Sequence, residues 1–456
     1  MRLSRADLKQ RINGELALRY GTSRLTSFAG LELVGRFFRR LGLKERLRFA
    51  ARRLPGNDFG AVPMVLLVLT LLITGGRRVR HVGYLESDPL VKRVCGLARV
   101  PTLHTLGRWL RGFDRQGVDA LLGVNESLVG AVIDRSGLRR LTFDVDGSVV
   151  STGLRVEGAR RGFNPHRRKV PSYYPITAYE ANTGQVLRVR NRAGNVHDGK
   201  ASLVFLKELF AQLRTTLERR YVLEMRMDGA FFREDVLDLL EGEGVSYALR
   251  VPFYPRLGLK ERIVKRRRWA RVDEGVECFE QRLRVQPWGR SMRFVIYRKK
   301  VGHRSAKNFQ LDLFDPDDGY YEYSAVVTNK PVTGRTLWFF MCGRGTHEKV
   351  YGELKSGFAF DCVPTRRFEA NSAWQVMSVI AFNLMRGLQS HTTAEARRPN
   401  RKRRTVRRFE LIHTLRYRFI NRAGLLVQPS GKATLDVGDN RMLRERFSTM
   451  AHALAA

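Results

Sequence analysis

The chain is short of acids and of cysteines, and it has no long apolar run. It carries 44 Asp and Glu against 83 Lys and Arg in 456 residues, a formal net charge of +39. A surplus of that size repels itself unless a polyanion is the working partner. It disfavours a small-molecule enzyme of ordinary charge and points to nucleic acid, or else to an anionic membrane surface. The four cysteines, Cys95, Cys278, Cys342 and Cys362, form no CxxC pair and no Cys/His spacing that suits zinc, so they are expected as buried or idle thiols in a reducing cytosol. Met1 leads into Arg2, Arg5 and a charged amphipathic run, so no signal peptide is expected. The one uncharged stretch, Phe59 to Gly76, is short for a membrane span, contains Pro63 and ends in Gly75-Gly76. Its dense part, Ala61 to Thr74, reads as a buried core helix, and the protein as soluble with no membrane partner.

What is present is enough for two or three domains: 43% hydrophobic and 10% aromatic residues. Residues 1–135 read as helical, with Leu31, Leu33, Val34, Phe37, Phe38 and Leu41 at helical spacing opposite basic residues. Pro89–Leu97 and the following PTLHTLGRWLRGFD form a candidate helix-turn-helix. Thr102 is its cap, Leu103, Leu106, Trp109 and Leu110 point inward, and His104, Thr105 and Arg108 point outward; simple helix packing is the other reading. After residue 138 the pattern turns to strands: RRLTFDVD alternates, and strands follow at 172–180 and 185–192 around an Asn182-Thr183-Gly184 turn. A helix over 203–217, a strand over 221–228, a helix over 231–241 and a strand over 246–252 complete an α/β arrangement. Residues 255–332 read as a β-rich insertion, helix resumes at Thr333 through Gly357, and a further apolar helix covers 372–385. The last segment opens with a basic block, 397–408, read either as a solvated linker or as a phosphate-contacting arm. No internal repeat is evident.

Three acids stand out by position. Asp146 ends the first strand, Asp228 ends a later parallel one, and Glu348 lies on a helix after the insertion. Strand C-termini of an open α/β sheet line the crevice where ligands bind. Cutting a phosphodiester at neutral pH needs an activated water and charge stabilisation at the leaving oxygen, which two Mg²⁺ ions can supply. Mg²⁺ takes hard oxygen ligands, so a DNA cleft lined by Arg and Lys would need a small acidic centre of this kind. Asp144 points to the same face as Asp146 and is its rival. In MCGRGTHEKVYGELK, Arg344, Glu348 and Lys355 fall on one helix face, where the two cations suit DNA phosphates; an exposed helix with ordinary ion pairs is the other reading. HEKVY is not a zincin motif, because HExxH needs His at position 351.

The ordered segments FDVDGSVV, GFNPHRRKVPSYYPI, GNVHD, MRMDGAFF and RGTHEKVYGELKSGF followed by RRFEANSAWQVMSVIAFNLMR resemble the DDE transposases of bacterial insertion sequences. The resemblance lies within the insertion-sequence-four-like set, is nearest to the thirteen-eighty group, and covers residues 60 to 390. It implies an α/β fold with an RNase H-like catalytic core, a mixed sheet with flanking helices split by a β-rich insertion, plus an N-terminal helical DNA-binding region. The corresponding division is 1–135 for that region, 136–254 for the first part of the core, 255–332 for the insertion, 333–395 for the second part with the Glu helix, and 396–456 for a basic C-terminal tail. Asp146-Gly147-Ser148 matches the first Asp of the family and Asp228-Gly229-Ala230-Phe231 the second. Arg344, Glu348 and Lys355 match a Tyr-x2-Arg-x3-Glu-x6-Lys signature whose Tyr position is Met341 here.

The resemblance implies that Asp146, Asp228 and Glu348 bind two Mg²⁺ ions, with Mn²⁺ as a substitute. It also implies that Arg344 and Lys355 clamp the phosphate near the cut, and that His166 and Arg167, next to Asn164 and Pro165, contact DNA. A loop held by its own turn chemistry is the other reading of those four, and Asn195 and His197 read as turn residues before a helix. The implied activity is a transposase that cuts at the ends of its insertion sequence and joins the 3′-hydroxyl ends to target DNA. Its partner would be double-stranded DNA, both terminal inverted repeats and target; it would act as a homodimer in the DNA complex, in the bacterial cytoplasm and on the nucleoid when bound. The alternative is a catalytically silent DNA-binding protein derived from a transposase, and a nuclease without strand transfer is a third reading.

Overall fold

The structure, a computed structural model, describes residues 18, 23–153, 155–162, 169–196, 198–217, 221–302, 321–398 and 400–455. After a two-residue strand, β1 (Leu25–Thr26), come α1 (Leu31–Arg40) and α2 (Leu43–Ala50), which bury Leu31, Leu33, Val34, Phe37, Phe38, Leu43 and Leu47. Their apolar stripes face the core and their arginines face water. α3 (Ala61–Thr74) is buried from Met64 to Thr74 and closes on Gly75 in the left-handed region. Among the described residues no single helix is long and apolar enough to cross a membrane. Only the pair Ala61–Thr74 and Val79–Leu85, bent by 86°, passes that test together.

α4 (Pro89–Cys95) starts at Asp88, whose carboxylate accepts from the N–H groups of Leu90 and Val91. α5 (Leu103–Arg111) starts at Thr102, whose hydroxyl accepts from Thr105. Leu106, Trp109 and Leu110 are buried, but Leu103, expected inward, is 45% exposed: it opens the helix beyond the packed surface. α6 (Arg115–Arg135) then leads into the sheet.

The sheet begins with β2 (Arg140–Gly147), β3 (Val150–Ser151), β4 (Ser172–Tyr173), β5 (Ile176–Glu180) and β6 (Gln185–Arg190). The single strand expected over 172–180 breaks at Tyr174-Pro175, where proline has no N–H for the ladder; β4 pairs with β3, and β5 with β2. α7 (Asp198–Thr216), β7 (Val222–Met227), α8 (Glu234–Gly242) and β8 (Ser246–Val251) follow. β5 is antiparallel to β2 and β6, whereas β7 is parallel to β2 and β8. β6 forms one edge. There Asn125 of α6 donates to the carbonyls of Val186 and Leu187, and Asn383 both accepts from Val186 N–H and donates to Asn125. These buried amides satisfy backbone groups that an open edge would leave unpaired.

Residues 255–332 contribute α9 (Leu259–Lys265), β9 (Ala270–Asp273), β10 (Val276–Val285), β11 (Arg290–Lys300) and β12 (Tyr321–Thr328). These strands extend the same sheet rather than stand apart from it, because β12 pairs antiparallel with β8. Among the described residues the sheet has nine strands in the order β6-β5-β2-β7-β8-β12-β11-β10-β9. The helix expected from Thr333 to Gly357 is two helices, α10 (Gly334–Cys342), capped by Thr333, and α11 (Gly345–Phe358), with the break at Gly343-Arg344. α12 (Phe368–His391) runs buried against α3, α6 and β6.

Beyond residue 396 the chain is not the simple basic tail expected. α13 (Ile412–Leu415), β13 (Gly424–Val427), β14 (Thr434–Val437) and α14 (Arg441–Ala455) fold back on the N-terminal helices. β13 pairs with β1 and β14, and α14 packs on α1. Arg416 is buried and donates to the carbonyls of Leu72 and Ile73 in α3 and of Gly357 in α11, so one guanidinium caps two helix ends.

Candidate active site

β2 and β7 lie side by side in parallel, with Asp144 opposite Arg226 as the last registered pair. Alternation places Thr142, Asp144 and Asp146 of β2, and Glu224, Arg226 and Asp228 along β7, on one face. That face changes character toward the strand ends. At its base, fully buried Glu224 accepts from Arg140 at 2.8 Å, from Thr142 at 3.0 Å and from Lys330. Burial pushes its carboxyl up, but the Lys330, Arg140 and Arg403 charges together hold it below its ordinary value. Next, Arg226 grips Asp144 with two bonds of 2.6 and 2.7 Å, and both side chains are fully buried. Arg226 also donates to the carbonyls of Phe340 and Lys402. The rival carboxylate, Asp144, is therefore closed on both oxygens.

At the open end stand Asp146 and Asp228. Asp228 also caps the short turn Gly229–Phe231, accepting from Ala230 N–H at 3.0 Å. The two carboxylates converge on one cation: Arg344 Nη2 lies 2.8 Å from Asp146 Oδ2 and 3.8 Å from Asp228 Oδ2. Burial opposes the Arg344 charge, yet Asp146 and Asp228 more than offset it and raise the guanidinium above its ordinary value. The break before α11 makes this reach possible. A Cβ at Gly343 would lie 1.9 Å from the Lys402 carbonyl oxygen and 2.0 Å from Arg226 Nη1, so only glycine admits both neighbours there.

α11 carries the rest. Arg344 is its N-cap, Glu348 is exposed in its first turn, and the Lys355 ammonium donates to the Val149 carbonyl at 2.9 Å. Burial lowers the Lys355 pKa. Thus Arg344, Asp146 and Asp228 are brought together, whereas Glu348 points to solvent. Among the described residues no three His, Cys, Asp or Glu side chains converge as a metal cluster. The pair of aspartates nevertheless suits a hard divalent cation: both are carboxylates, both are partly open to solvent, and both already gather about one positive charge. Glu353, the other acid of the segment, is buried in an ion pair with Arg386 and accepts from Ile412 N–H, a structural task. His166 and Arg167, with Asn164, Pro165 and His197, lie outside the described residues.

Sequence reasoning missed two groups of neighbours. Arg250 on β8 sits beside the end of β7 and interacts electrostatically with Arg344, Asp228 and Glu348; an arginine inside the apolar run SYALRV was its visible signal. His347 and Tyr351, one turn apart on α11, are buried against Thr177 of β5, the strand partner of Asp146. In the basic block 397–408, Arg403 adopts φ +48° and reaches Glu224 at 3.4 Å, and the Lys402 carbonyl takes the Arg226 bond, so Lys402-Arg403 is fastened over the buried base of this same face.

No curated protein matches the chain. Among solved structures, it is similar to a piggyBac transposase in a cryo-EM synaptic complex with hairpin DNA. The identity is 12% and the TM-score 0.43, with 85% of this chain and 79% of that one covered. A family model described as transposase DDE domain group 1 matches residues 10–456, nearly the whole length. The chain therefore belongs to the DDE transposase family, the proteins of DNA transposition and recombination.

Proposed function

We propose that this protein is the transposase of a bacterial insertion sequence, insertion-sequence-four-like and nearest to the thirteen-eighty group, built on an RNase H-like core. In this reading it cuts DNA at the ends of its element and joins the freed 3′-hydroxyls to target DNA. The observation that carries it is the convergence of Asp146 and Asp228, from the C-terminal ends of adjacent parallel strands, on Arg344 of the helix that bears Glu348. Strand order supports the core assignment: three antiparallel strands, then two added in parallel to the first.

Asp146, Asp228 and Glu348 would hold two Mg²⁺ ions, or Mn²⁺ in their place, which would polarise the scissile phosphate and lower the pKa of water. The residues divide the remaining work. Arg226 fixes Asp144 and so the register of the two strands that present the aspartates. Arg344 caps the helix four positions before Glu348 and Lys355 lies on it seven positions after, both with a cationic head near the end of β2, and there they take the backbone phosphate beside the cut. Arg250 adds a third cation on the β8 side. In the first reaction water displaces a 3′-oxygen from phosphorus, leaving a 5′-phosphate and a free 3′-hydroxyl. In the second that hydroxyl displaces a target 3′-oxygen, conserving one phosphodiester for each one broken. The net charge of +39 supplies attraction to terminal repeats and target alike. Two ends must meet, so a homodimer on DNA in the bacterial cytoplasm is part of the proposal.

The test uses DNA flanking the protein's own gene. Purified protein and Mg²⁺ should nick at the element ends, mapped at nucleotide resolution, and Asp228→Ala should abolish the nicks. Tight binding with no cuts in Mg²⁺ or Mn²⁺ would leave the silent DNA-binding protein; cutting without joining would leave a nuclease.

A further inference from the structure

A line of three side chains runs through the wall behind Asp146. The His347 imidazole is stacked between the rings of Tyr179 (centroids 5.3 Å apart) and Tyr351 (4.8 Å). Its Nε2 lies 2.8 Å from the Thr177 hydroxyl, which donates to the Tyr351 hydroxyl at 2.8 Å, which donates to the Asp146 backbone carbonyl at 2.8 Å. The direction of this line follows from the inventory of hydrogens. A carbonyl only accepts, and each hydroxyl has one hydrogen, so Tyr351 spends its own on Asp146 and Thr177 spends its own on Tyr351. Thr177 then accepts from His347, which must carry its hydrogen on Nε2. Nδ1 is left bare, and it has no partner among the described residues. Burial pushes the His347 pKa down to about 3, so the ring is neutral.

The placement gives the line a task. Thr177 is the registered partner of Asp146 on β5, and Asp146 lies beyond the last registered pair of β2 with β7. α11 meets the end of β2 at three points on one face: Arg344 on the Asp146 carboxylate, Tyr351 on the Asp146 carbonyl and Lys355 on the Val149 carbonyl. Arg344 and Lys355 are cations, and in the proposed function each would be drawn away by an arriving phosphate. Tyr351 is neutral, buried and backed by Thr177 and His347, so its contact is indifferent to the charges that enter the site.

We propose that His347, Thr177 and Tyr351 are positioning residues that hold the Glu348 helix in register with Asp146, so that the carboxylates keep their spacing once Arg344 turns to DNA. The inference rests on the reading of Asp146, Asp228 and Glu348 as the cation-holding set, and the test separates the two. Binding of Mn²⁺ alone to the full chain, followed by electron paramagnetic resonance of the free ion, needs no DNA and no turnover. Tyr351→Phe and Thr177→Val should each weaken Mn²⁺ binding about ten-fold, in the range for groups that orient a metal ligand. Thr177→Ser, which keeps the hydroxyl and loses the methyl, should bind like wild type. A packing role predicts the opposite order, since valine fills the threonine space and serine does not. Wild-type binding by both Tyr351→Phe and Thr177→Val, with melting temperatures and circular dichroism confirming folded protein, overturns the proposal; so does a Thr177→Ser variant as weak as Thr177→Val. Mn²⁺ binding by wild type that survives Asp228→Ala overturns the cation-holding reading, and the proposal with it. Binding lost in Asp228→Ala but unchanged in the relay variants overturns the relay only.

Discussion

Two carboxylate–arginine sites lie on the same face of β2 and β7, two residues apart, and they differ in almost everything but composition. Asp144 meets Arg226 in a bidentate, fully buried pair whose two oxygens are both taken. Asp146 shares Arg344 with Asp228 in a looser, partly exposed arrangement. A buried ion pair is weak support for stability but costly to break, because either partner alone is an uncompensated charge. A half-open pair held by one shared guanidinium is easy to rearrange, since water and incoming ions can replace each contact. The closed site ties the two strands together through one buried pair; the open site is the more exposed of the two.

The sharpest way to break the contrast is Asp228→Ala. Nicking should fall by more than about 100-fold, the upper end for losing groups that merely support a ligand, while urea unfolding stays close to wild type. A large loss of stability would show that the open site is structural after all. Asp144→Ala should do the reverse first: stability should drop by about 3–5 kcal/mol in urea titration, as expected for stranding the buried Arg226. Gly343→Ala tests the wall between the sites. Its methyl must displace Arg226 or the Lys402 carbonyl, so a loss of about 1–3 kcal/mol is expected, and an unchanged melting curve would mean that the strap at 400–403 is not held there. The smallest effect is in pH. Glu224 is held below its ordinary value of 4.5, so the stability it contributes is present above pH 4.5 and is lost as pH falls further, when the native carboxylate takes up its proton. Glu224→Gln should flatten that acid limb of a stability–pH curve; an unaltered limb would assign it to other carboxylates.

The sequence pattern was enough to find the open end of this face and not enough to tell its two aspartates apart. Alternation in RRLTFDVD puts Asp144 and Asp146 on one side with equal claim. What separates them is Arg226, brought opposite Asp144 by a parallel register between strands some eighty residues apart, and local periodicity holds no record of that. Arg344, Glu348 and Lys355 were readable because their spacing lies within one helix, but the break at Gly343 was not, because its cause is a carbonyl at Lys402 and a guanidinium at Arg226. Thr177 and His347 are 170 positions apart, so the relay was invisible for the same reason. Residues 396–456 were legible as basic and little more: their partners β1, α1 and α3 lie at the other end of the chain.

The continuity of the sheet has a mechanical meaning. β8 follows Asp228 across α8 and is laced to β12 from Ala248–Thr328 to Val251–Ala325, so strands β9 to β12 are an extension of the sheet rather than a flap on a hinge. A tug on its far strand, β9, crosses β10, β11 and β12 as shear on hydrogen-bond ladders before it reaches β8 and β7. A load on that far edge would therefore reach the tip of β7, where Asp228 sits, through strand pairing among the described residues.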